Sequence, residues 1–135
     1  MPRLFQFLAL LVLLTAPVAA RGAEGGAVTS IVRIRPVMVP SLHQGRIEKY
    51  VAYEVTLEFA DPGKLPAAQA LMPRLHDATM AAFYEGVAEG WIVRAGIVNG
   101  PALRKRLDEM CERLIGKGAV GRILISPSTR SASGP

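Results

Sequence analysis

Residues 50–59, YVAYEVTLEF, alternate between two classes of side chain along their whole length. This period of two is typical of a β-strand with one buried and one solvated face. The face expected in the core carries Val51, Tyr53, Val55, Leu57 and Phe59. The opposite face carries Ala52, Glu54, Thr56 and Glu58. This is the clearest strand in the chain.

A second alternating stretch runs from Ile31 to Val39 and predicts a strand that ends at Pro40. Its buried face is expected to carry Val32, Ile34 and Met38, and its solvated face Arg33 and Arg35. Because Pro36 has no N–H to donate to a sheet ladder, we expect this strand at an edge of the sheet or with a bulge.

The segment from Ser41 to Glu48 contains Gly45 among mostly polar side chains, and it is predicted to connect the two strands as a hairpin. Pairing of the strands would place arginines opposite glutamates on the solvent side, namely Arg33 and Arg35 against Glu54 and Glu58. Such cross-strand charge pairs contribute only ~0.2–1 kcal/mol each.

Helical spacing of apolar residues follows the turn at residues 61–63. The expected stripe consists of Leu71, Leu75, Thr79, Phe83 and Val87, widened by Ala78 and Ala82. Pro66 suits a first helical turn, whereas Pro73 does not suit a helix interior. The pattern therefore predicts a short helix, a kink, and a main helix from Pro73 to Ala88 that Gly90 ends.

A second helix is predicted from the capping sequence Asn99-Gly100-Pro101 to Leu114, because Asn is a favoured N-cap and Pro fits the first helical position. Its apolar stripe is Leu103, Leu107, Met110, Cys111, Leu114 and Ile115. We expect the i,i+4 charge pairs Lys105–Glu109 and Glu109–Arg113 on the wet face. Residues 91–98, between the helices, are mostly apolar and predict a short strand or a packed loop.

The last strand is predicted from Val120 to Ile125, with Ile123 and Ile125 on one side. The small residues from Ser126 onward are typical of a disordered tail, which includes all of residues 128–135. The order of elements is β-β-α-α-β. The expected fold class is therefore α/β of the α+β type, with two helices packed on one face of a small, mainly antiparallel sheet.

Residues 1–20 form an apolar targeting or anchoring segment. A short positive start that ends at Arg3, an apolar run to Leu14, and small residues up to Ala20 fit a signal peptide cleaved after Ala20. The alternative is an uncleaved anchor, since residues 4–20 would span ~25 Å as a helix against a hydrocarbon core of ~30 Å. Either reading predicts export. Residues 21–30 are rich in Gly and small side chains and predict a flexible linker.

The bulk properties suit one small domain. The chain has 135 residues and a formal net charge of +5. A mild excess of base favours anionic surfaces, and export argues against nucleic acid. Cys111 is the only cysteine, so the chain has no intramolecular disulfide. On the apolar side of a helix its thiol is expected to behave as a small hydrophobe rather than as a reactive group.

The residue types do not predict a catalytic or metal site. His76 and Asp77 are helix neighbours at i,i+1, so their side chains point in different directions. Glu54 and Glu58 are separated by ~13 Å along one strand, which is too far for a carboxylate dyad. His43 and His76 lack the spacing of metal ligands.

The remaining candidates have ordinary structural explanations. The glycines do not form a phosphate cradle. The basic run at residues 104–106, Arg-Lys-Arg, lies in a helix with acidic residues one turn later, which favours a solvated, salt-bridged face. Trp91 could anchor a partner, although a core or rim position is commoner. The sequence therefore favours a domain that acts by contact, with no catalytic residue and no cofactor.

The chain resembles the periplasmic domain of FliL, the flagellar basal-body-associated protein family. The matching stretches are residues 34–39 (IRPVMV), 50–59, 73–78 (PRLHDA), 100–104 (GPALR) and 120–125 (VGRILI). The resemblance covers nearly all of residues 31–127 and consists of hydrophobic patterns rather than catalytic signatures.

This resemblance implies a stomatin-like fold and a non-enzymatic role beside the torque-generating stator of the flagellar motor. It implies stator proteins and further copies of the chain as partners, and a periplasmic location in which residues 4–20 could tether the domain to the inner membrane. It brings no catalytic residues, because the family has none.

Two features depart from the family pattern. Only three residues precede the short apolar run, where FliL proteins usually have a longer cytoplasmic stretch and a full transmembrane helix. Residues 90–99 are also more apolar than the pattern predicts. The alternative is therefore a generic periplasmic binding or scaffold domain that is unrelated to flagella.

Overall fold

The computed structural model describes residues 30–128. The predicted signal peptide or anchor at residues 1–20 and the tail from residue 129 lie outside the described residues. Of the predicted linker, only Ser30 is described. It is buried, and its carbonyl accepts a 2.8 Å hydrogen bond from the N–H of Phe59.

The fold is mixed α/β. Its elements in chain order are β1 (Ile31–His43), β2 (Arg46–Phe59), a 3-10 turn (Pro62–Lys64), α1 (Leu65–Ala70), α2 (Met72–Ala88), β3 (Ile92–Val93), β4 (Gly96–Ile97), α3 (Gly100–Leu114) and β5 (Val120–Pro127). The main sheet is antiparallel with strand order β1-β2-β5, and β3 and β4 form a separate two-stranded sheet. The predicted α/β class and antiparallel sheet are therefore confirmed.

The hydrophobic core lies between one face of the main sheet and the helices α2 and α3. The sheet contributes Val32, Ile34, Val37, Val39, Tyr53, Val55, Leu57, Phe59 and Ile123. The helices contribute Leu75, Ala82, Phe83, Leu103, Leu107, Met110 and Cys111. Each large apolar side chain that is fully buried contributes about 1.5–3 kcal/mol. The face predicted for β2 is confirmed, with Val51 half-buried at its margin.

The β1 strand carries a bulge at Pro36. It pairs only with β2, and its register shifts between Ile34 and Val37, so both expectations for Pro36 are confirmed. The shift inserts one extra residue into β1. Before the bulge the even-numbered side chains face the core, and after it the odd-numbered side chains do. Val37 is therefore 1 % exposed and Met38 is 50 % exposed. The prediction that Met38 lies in the core was wrong, because strict alternation does not allow for the extra residue at the Pro36 bulge.

The hairpin between β1 and β2 is longer than the sequence predicted. β1 continues through Pro40 to His43, and β2 begins at Arg46. The connection is only Gln44-Gly45, with φ of 51° and 75°, as in a tight two-residue turn. The prediction of a connection from Ser41 to Glu48 was wrong, because its polar residues pair across the hairpin.

The charge pairs predicted from the sequence do not form among residues 30–128. Arg33 lies opposite Thr56, not opposite a glutamate, and Arg35 falls in the bulge. On α3, Arg106 forms the ion pairs instead of its neighbour Lys105, with Nε 2.6 Å from Glu85 on α2 and a guanidinium nitrogen 3.9 Å from Glu109. The packing of α2 against α3 therefore pairs Arg106 with Glu85, whereas helical spacing within α3 suggested Lys105 as the partner of Glu109.

The helices follow the prediction. α1 ends at Ala70, and α2 begins at Met72 after the single residue Leu71, with Pro73 in its first turn, where the missing N–H costs nothing. The Asn99 side chain caps α3 by accepting a 3.2 Å hydrogen bond from the N–H of Ala102. The last strand is longer than expected, because Ser126 and Pro127 remain paired with β2. Those two residues were wrongly assigned to a disordered tail.

Candidate contact surface

The polar residues singled out in the sequence do not converge. The His76 ring nitrogen lies 3.8 Å from the Asp77 carboxylate, which is longer than a hydrogen bond. Glu54 accepts a 3.3 Å hydrogen bond from the hydroxyl of Ser128 and stays on the open face of the sheet with Glu58. Among residues 30–128, His, Cys, Asp and Glu form no cluster of three that could hold a metal ion.

The Cys111 thiol is buried in the core, with 2 % of the residue exposed. Burial, together with a smaller effect of the nearby Asp108 carboxylate, raises the pKa of Cys111 to about 12. The thiol is therefore protonated at neutral pH and is a poor nucleophile. This agrees with the expectation that Cys111 is a small packing residue.

Trp91 and one residue of the basic run at 104–106, Arg106, have structural contacts near α2 and α3. Trp91 is half-buried, and its carbonyl accepts hydrogen bonds from the N–H groups of Val98 (2.8 Å) and Asn99 (3.1 Å). Arg106 pairs with Glu85 across the two helices, while Arg104 and Lys105 are exposed. Trp91 therefore closes the loop before α3, and Arg106 joins the two helices.

The open face of the main sheet, away from the helices, divides into two halves. Near β5 it is mostly polar, with Glu54, Thr56 and Glu58 of β2 half-buried and Arg122 of β5 exposed, although Leu124 of β5 is half-buried opposite Thr56. β5 pairs only with the second half of β2. The remaining part of the hairpin, residues 38–51, therefore projects past the third strand as a two-stranded ribbon, which we call the hairpin arm.

The open face of the hairpin arm is apolar. The bulge at Pro36 turns Met38 onto this face, and a second register shift, between Ser41 and Leu42, brings Ile47 opposite Leu42. Four large apolar side chains are exposed there, which we call the arm stripe: Met38 (50 %), Leu42 (40 %), Ile47 (53 %) and Tyr50 (53 %). Pro40, which pairs with Tyr50, lies between them and is buried.

Charged side chains border the arm stripe. Arg46, Glu48 and Lys49 are all exposed around the end of the hairpin. A contiguous group of exposed apolar side chains with a charged rim is characteristic of a surface that binds a partner. Tyr and Met are also among the residue types enriched at protein interfaces.

The turn between β3 and β4 holds the arm at its inner side, through His43, and at its base, through Tyr53, which lies two residues beyond the arm. The Tyr53 hydroxyl donates a hydrogen bond to the carbonyl of Ala95, and the Arg94 guanidinium donates one of 2.9 Å to Nδ1 of His43. Arg94 and Ala95 both have positive φ, 51° and 59°, so the β3–β4 turn is tight. The arm stripe is therefore presented on a braced hairpin.

Sequence reasoning missed the arm stripe and its support. The exposed position of Met38 depends on a bulge, and that of Ile47 on a second register shift, and neither leaves a clear periodic pattern. One signal was present, because residues 91–98 are more apolar than a connecting loop needs to be. The structure accounts for it, since Ile92 and Ala95 are buried beneath the arm and α2.

Within residues 30–128, no helix has both the length and the apolar character needed to cross a membrane. No protein-family model, curated protein or solved structure matches the chain.

Proposed function

We propose that this chain is a non-enzymatic periplasmic interaction module of the bacterial flagellar basal body, which supports stator function and motility. In this proposal the arm stripe is the surface that binds the partner. The contact role is supported by one observation above all: Met38, Leu42, Ile47 and Tyr50 are exposed together on one face of a braced hairpin.

Leaving the apolar side chains of the arm stripe in water costs free energy, which favours binding of a partner. Apolar surface that moves from water into an interface contributes about 25 cal/mol per Å². Affinity also requires little loss of flexibility on binding. The hydrogen bonds from Tyr53 to Ala95 and from Arg94 to His43 hold the arm in place before any partner arrives.

The reactive groups of residues 30–128 are dispersed over the domain. The described groups with shifted pKa values are Tyr53, Arg106 and Cys111, and each shift has a packing cause. Burial raises the pKa of Tyr53, the hydrogen bond that Arg106 donates to Glu85 raises the pKa of Arg106, and burial raises the pKa of Cys111. Tyr53 and Cys111 lie in the core, and Arg106 joins two helices. This favours a contact domain over an enzyme.

The flagellar part of the proposal rests on the resemblance to FliL. That resemblance supplies the stomatin-like fold, the periplasmic location, the tether at residues 4–20, and the partners, which are stator proteins and further copies of the chain. The alternative is a generic periplasmic binding or scaffold domain unrelated to flagella. The arm stripe suits either role, because it indicates a contact surface without naming the partner.

Deletion of the gene tests the flagellar assignment. Swimming in soft agar should fall in the deletion strain, most strongly at high agar concentration where the motor works under load, and the full-length gene should restore it. Unchanged swimming under load would contradict the assignment. Affinity purification from envelope extracts separates the alternatives, since recovery of envelope proteins without stator or basal-body components favours the scaffold role.

A further inference from the structure

The inner face of the hairpin arm, on the side away from the arm stripe, is polar near the turn. Ser41 and His43 lie on this face, since they continue the alternation of the buried Val39 and His43 bonds to the β3–β4 turn. In the strand pairing, Lys49 lies opposite Ser41 and Arg46 lies opposite His43. Directly opposed side chains share a face, with Cβ atoms about 4.5–5.5 Å apart. These four polar side chains therefore form one group.

The second register shift of the hairpin decides the charge of this group. Counted back from the turn at residues 44–45, regular pairing would place Glu48 opposite Ser41. The observed pairing skips one residue of β2, so that Lys49 takes this position instead. Bulges are common beside functional sites, where they redirect a side chain. Here the bulge replaces a carboxylate by an ammonium group opposite Ser41.

Arg94 adds a third cation from a separate element. Its guanidinium donates the 2.9 Å hydrogen bond to Nδ1 of His43. Because the guanidinium can only donate, Nδ1 is the acceptor, and the neutral imidazole carries its proton on Nε2 as a further donor. The ion pairs within residues 30–128 involve other side chains, so Arg46, Lys49 and Arg94 have no carboxylate partner there. The group is therefore rich in donors that are not neutralised.

The hydroxyl of Ser41 is an independent indication of a ligand. Ser41 is 1 % exposed, and within residues 30–128 its Oγ is the buried side-chain oxygen that lacks a hydrogen-bond partner. A buried hydroxyl without a partner costs free energy, and such groups are rare in folded proteins. Ser41 lies beside Lys49 and His43 on the basic face. Rotation of these two side chains gives a ligand oxygen access to the hydroxyl.

We propose that the inner face of the hairpin arm binds a phosphate group. The ligands are the side chains of Arg46, Lys49, Arg94, His43 and Ser41. All of them can donate hydrogen bonds, which suits an anion whose oxygens accept.

The charge of the group favours phosphate over a carboxylate. Three cations and the one nearby carboxylate, Glu48, leave a net positive charge of two. A phosphate monoester carries a charge of about −1.5 to −2 at neutral pH and has three acceptor oxygens. Free inorganic phosphate and the headgroup of phosphatidic acid both offer this chemistry. The proposal is independent of the flagellar assignment, because the arm stripe lies on the opposite face of the hairpin.

Titration of the full chain with inorganic phosphate tests the site. The chain is held in nanodiscs of phosphatidylcholine, and the backbone amide shifts are followed by NMR. We expect saturable shifts at residues 41–49 and 94–95. Sodium chloride at equal ionic strength is the control for screening and should not produce them. A second experiment replaces part of the phosphatidylcholine by phosphatidic acid, without added phosphate.

Single substitutions at exposed positions identify the ligands without unfolding the domain. Arg46→Gln and Lys49→Gln should each weaken phosphate binding by about fivefold, because each removes one charge-assisted hydrogen bond. Arg33→Gln, at an exposed arginine outside the group, is the matched control and should bind like the wild type. Glu48→Gln should strengthen binding, because it removes the competing carboxylate. Ser41→Ala should weaken binding even though it removes an unpaired buried hydroxyl and so stabilises the fold.

The two probes separate the sources of the phosphate group. Shifts with inorganic phosphate alone support a free phosphate ligand, and shifts with phosphatidic acid support a lipid headgroup. Equal phosphate affinity in Arg46→Gln and Arg33→Gln, unchanged affinity in Ser41→Ala, or no saturable shift with either probe would overturn the proposal.

Discussion

The Arg94 guanidinium donates a 2.9 Å hydrogen bond to Nδ1 of His43, across 51 residues of sequence. It ties the β3–β4 turn to the last residue of β1. Together with the hydrogen bond from Tyr53 to Ala95, it braces the hairpin arm from its inner side. The arm can then present its apolar face without folding back onto the domain.

Removal of this tie should loosen the end of the arm. In Arg94→Ala we expect faster hydrogen exchange at residues 43–47, while exchange in the core strands is unchanged. The free energy of unfolding should fall by less than ~1 kcal/mol, because the bond is exposed. Arg33→Ala is the matched control, since Arg33 is exposed on β1. Equal exchange in the two variants would show that the tie does not hold the arm.

The Tyr53 hydroxyl should contribute more to the free energy of unfolding than the hydroxyl of an exposed tyrosine. Tyr53 is 6 % exposed and Ala95 is 5 % exposed, so Tyr53→Phe leaves the Ala95 carbonyl buried without a partner. We expect a loss of about 1–3 kcal/mol in the free energy of unfolding, measured by chemical denaturation. Tyr50→Phe, at a residue 53 % exposed, should change it by less than ~0.5 kcal/mol. Similar losses for both would contradict the buried hydrogen bond.

The elements of this fold are largely predictable from the sequence, because the alternation of β2 and the helical spacing of α2 and α3 are strong. The candidate site is not predictable in the same way. One extra residue at Pro36 exchanges the faces of β1, which moves Met38 from the expected core to the surface. A register shift of this kind is decided by pairing with another strand, and local periodicity does not contain that information.

The support of the arm is a second feature that local patterns do not predict. The bonds from Arg94 to His43 and from Tyr53 to Ala95 each join residues more than 40 positions apart. The sequence shows that residues 91–98 are apolar, but it does not show which surface they cover. The same holds for Arg106, whose ion-pair partner Glu85 lies on a different helix.

The Cys111 thiol should make stability depend on pH in the alkaline range. Burial raises its pKa from the ordinary 9.0 to about 12 in the folded protein. This stabilisation is therefore fully present below pH 9, and it is lost as the pH rises from 9 toward 12, since only the unfolded chain releases the proton. Relative to Cys111→Ala, the wild type should lose about 1.4 kcal/mol of unfolding free energy between pH 7 and pH 10.

Chemical denaturation of the wild type and of Cys111→Ala at several pH values measures this difference. Because both proteins contain the same other titrating groups, the contributions of those groups to the pH dependence cancel in the comparison. Thiol reagents provide a second readout, because Cys111 should react only after denaturant is added. A stability difference that does not change with pH, or rapid labelling of the native protein, would show that the thiol is accessible.

The most direct measurement of the central claim is the swimming of a deletion strain that carries Ile47→Asp. Ile47 lies in the arm stripe at 53 % exposure, and Val98→Asp is the control, at an apolar residue 66 % exposed outside the arm. A charge at position 47 should abolish binding through the stripe without unfolding the domain. We expect the soft-agar diameter of Ile47→Asp to equal that of the deletion strain, and the diameter of Val98→Asp to equal that of the wild type. Wild-type swimming with Ile47→Asp at normal protein level, or equal loss in both variants, would contradict it.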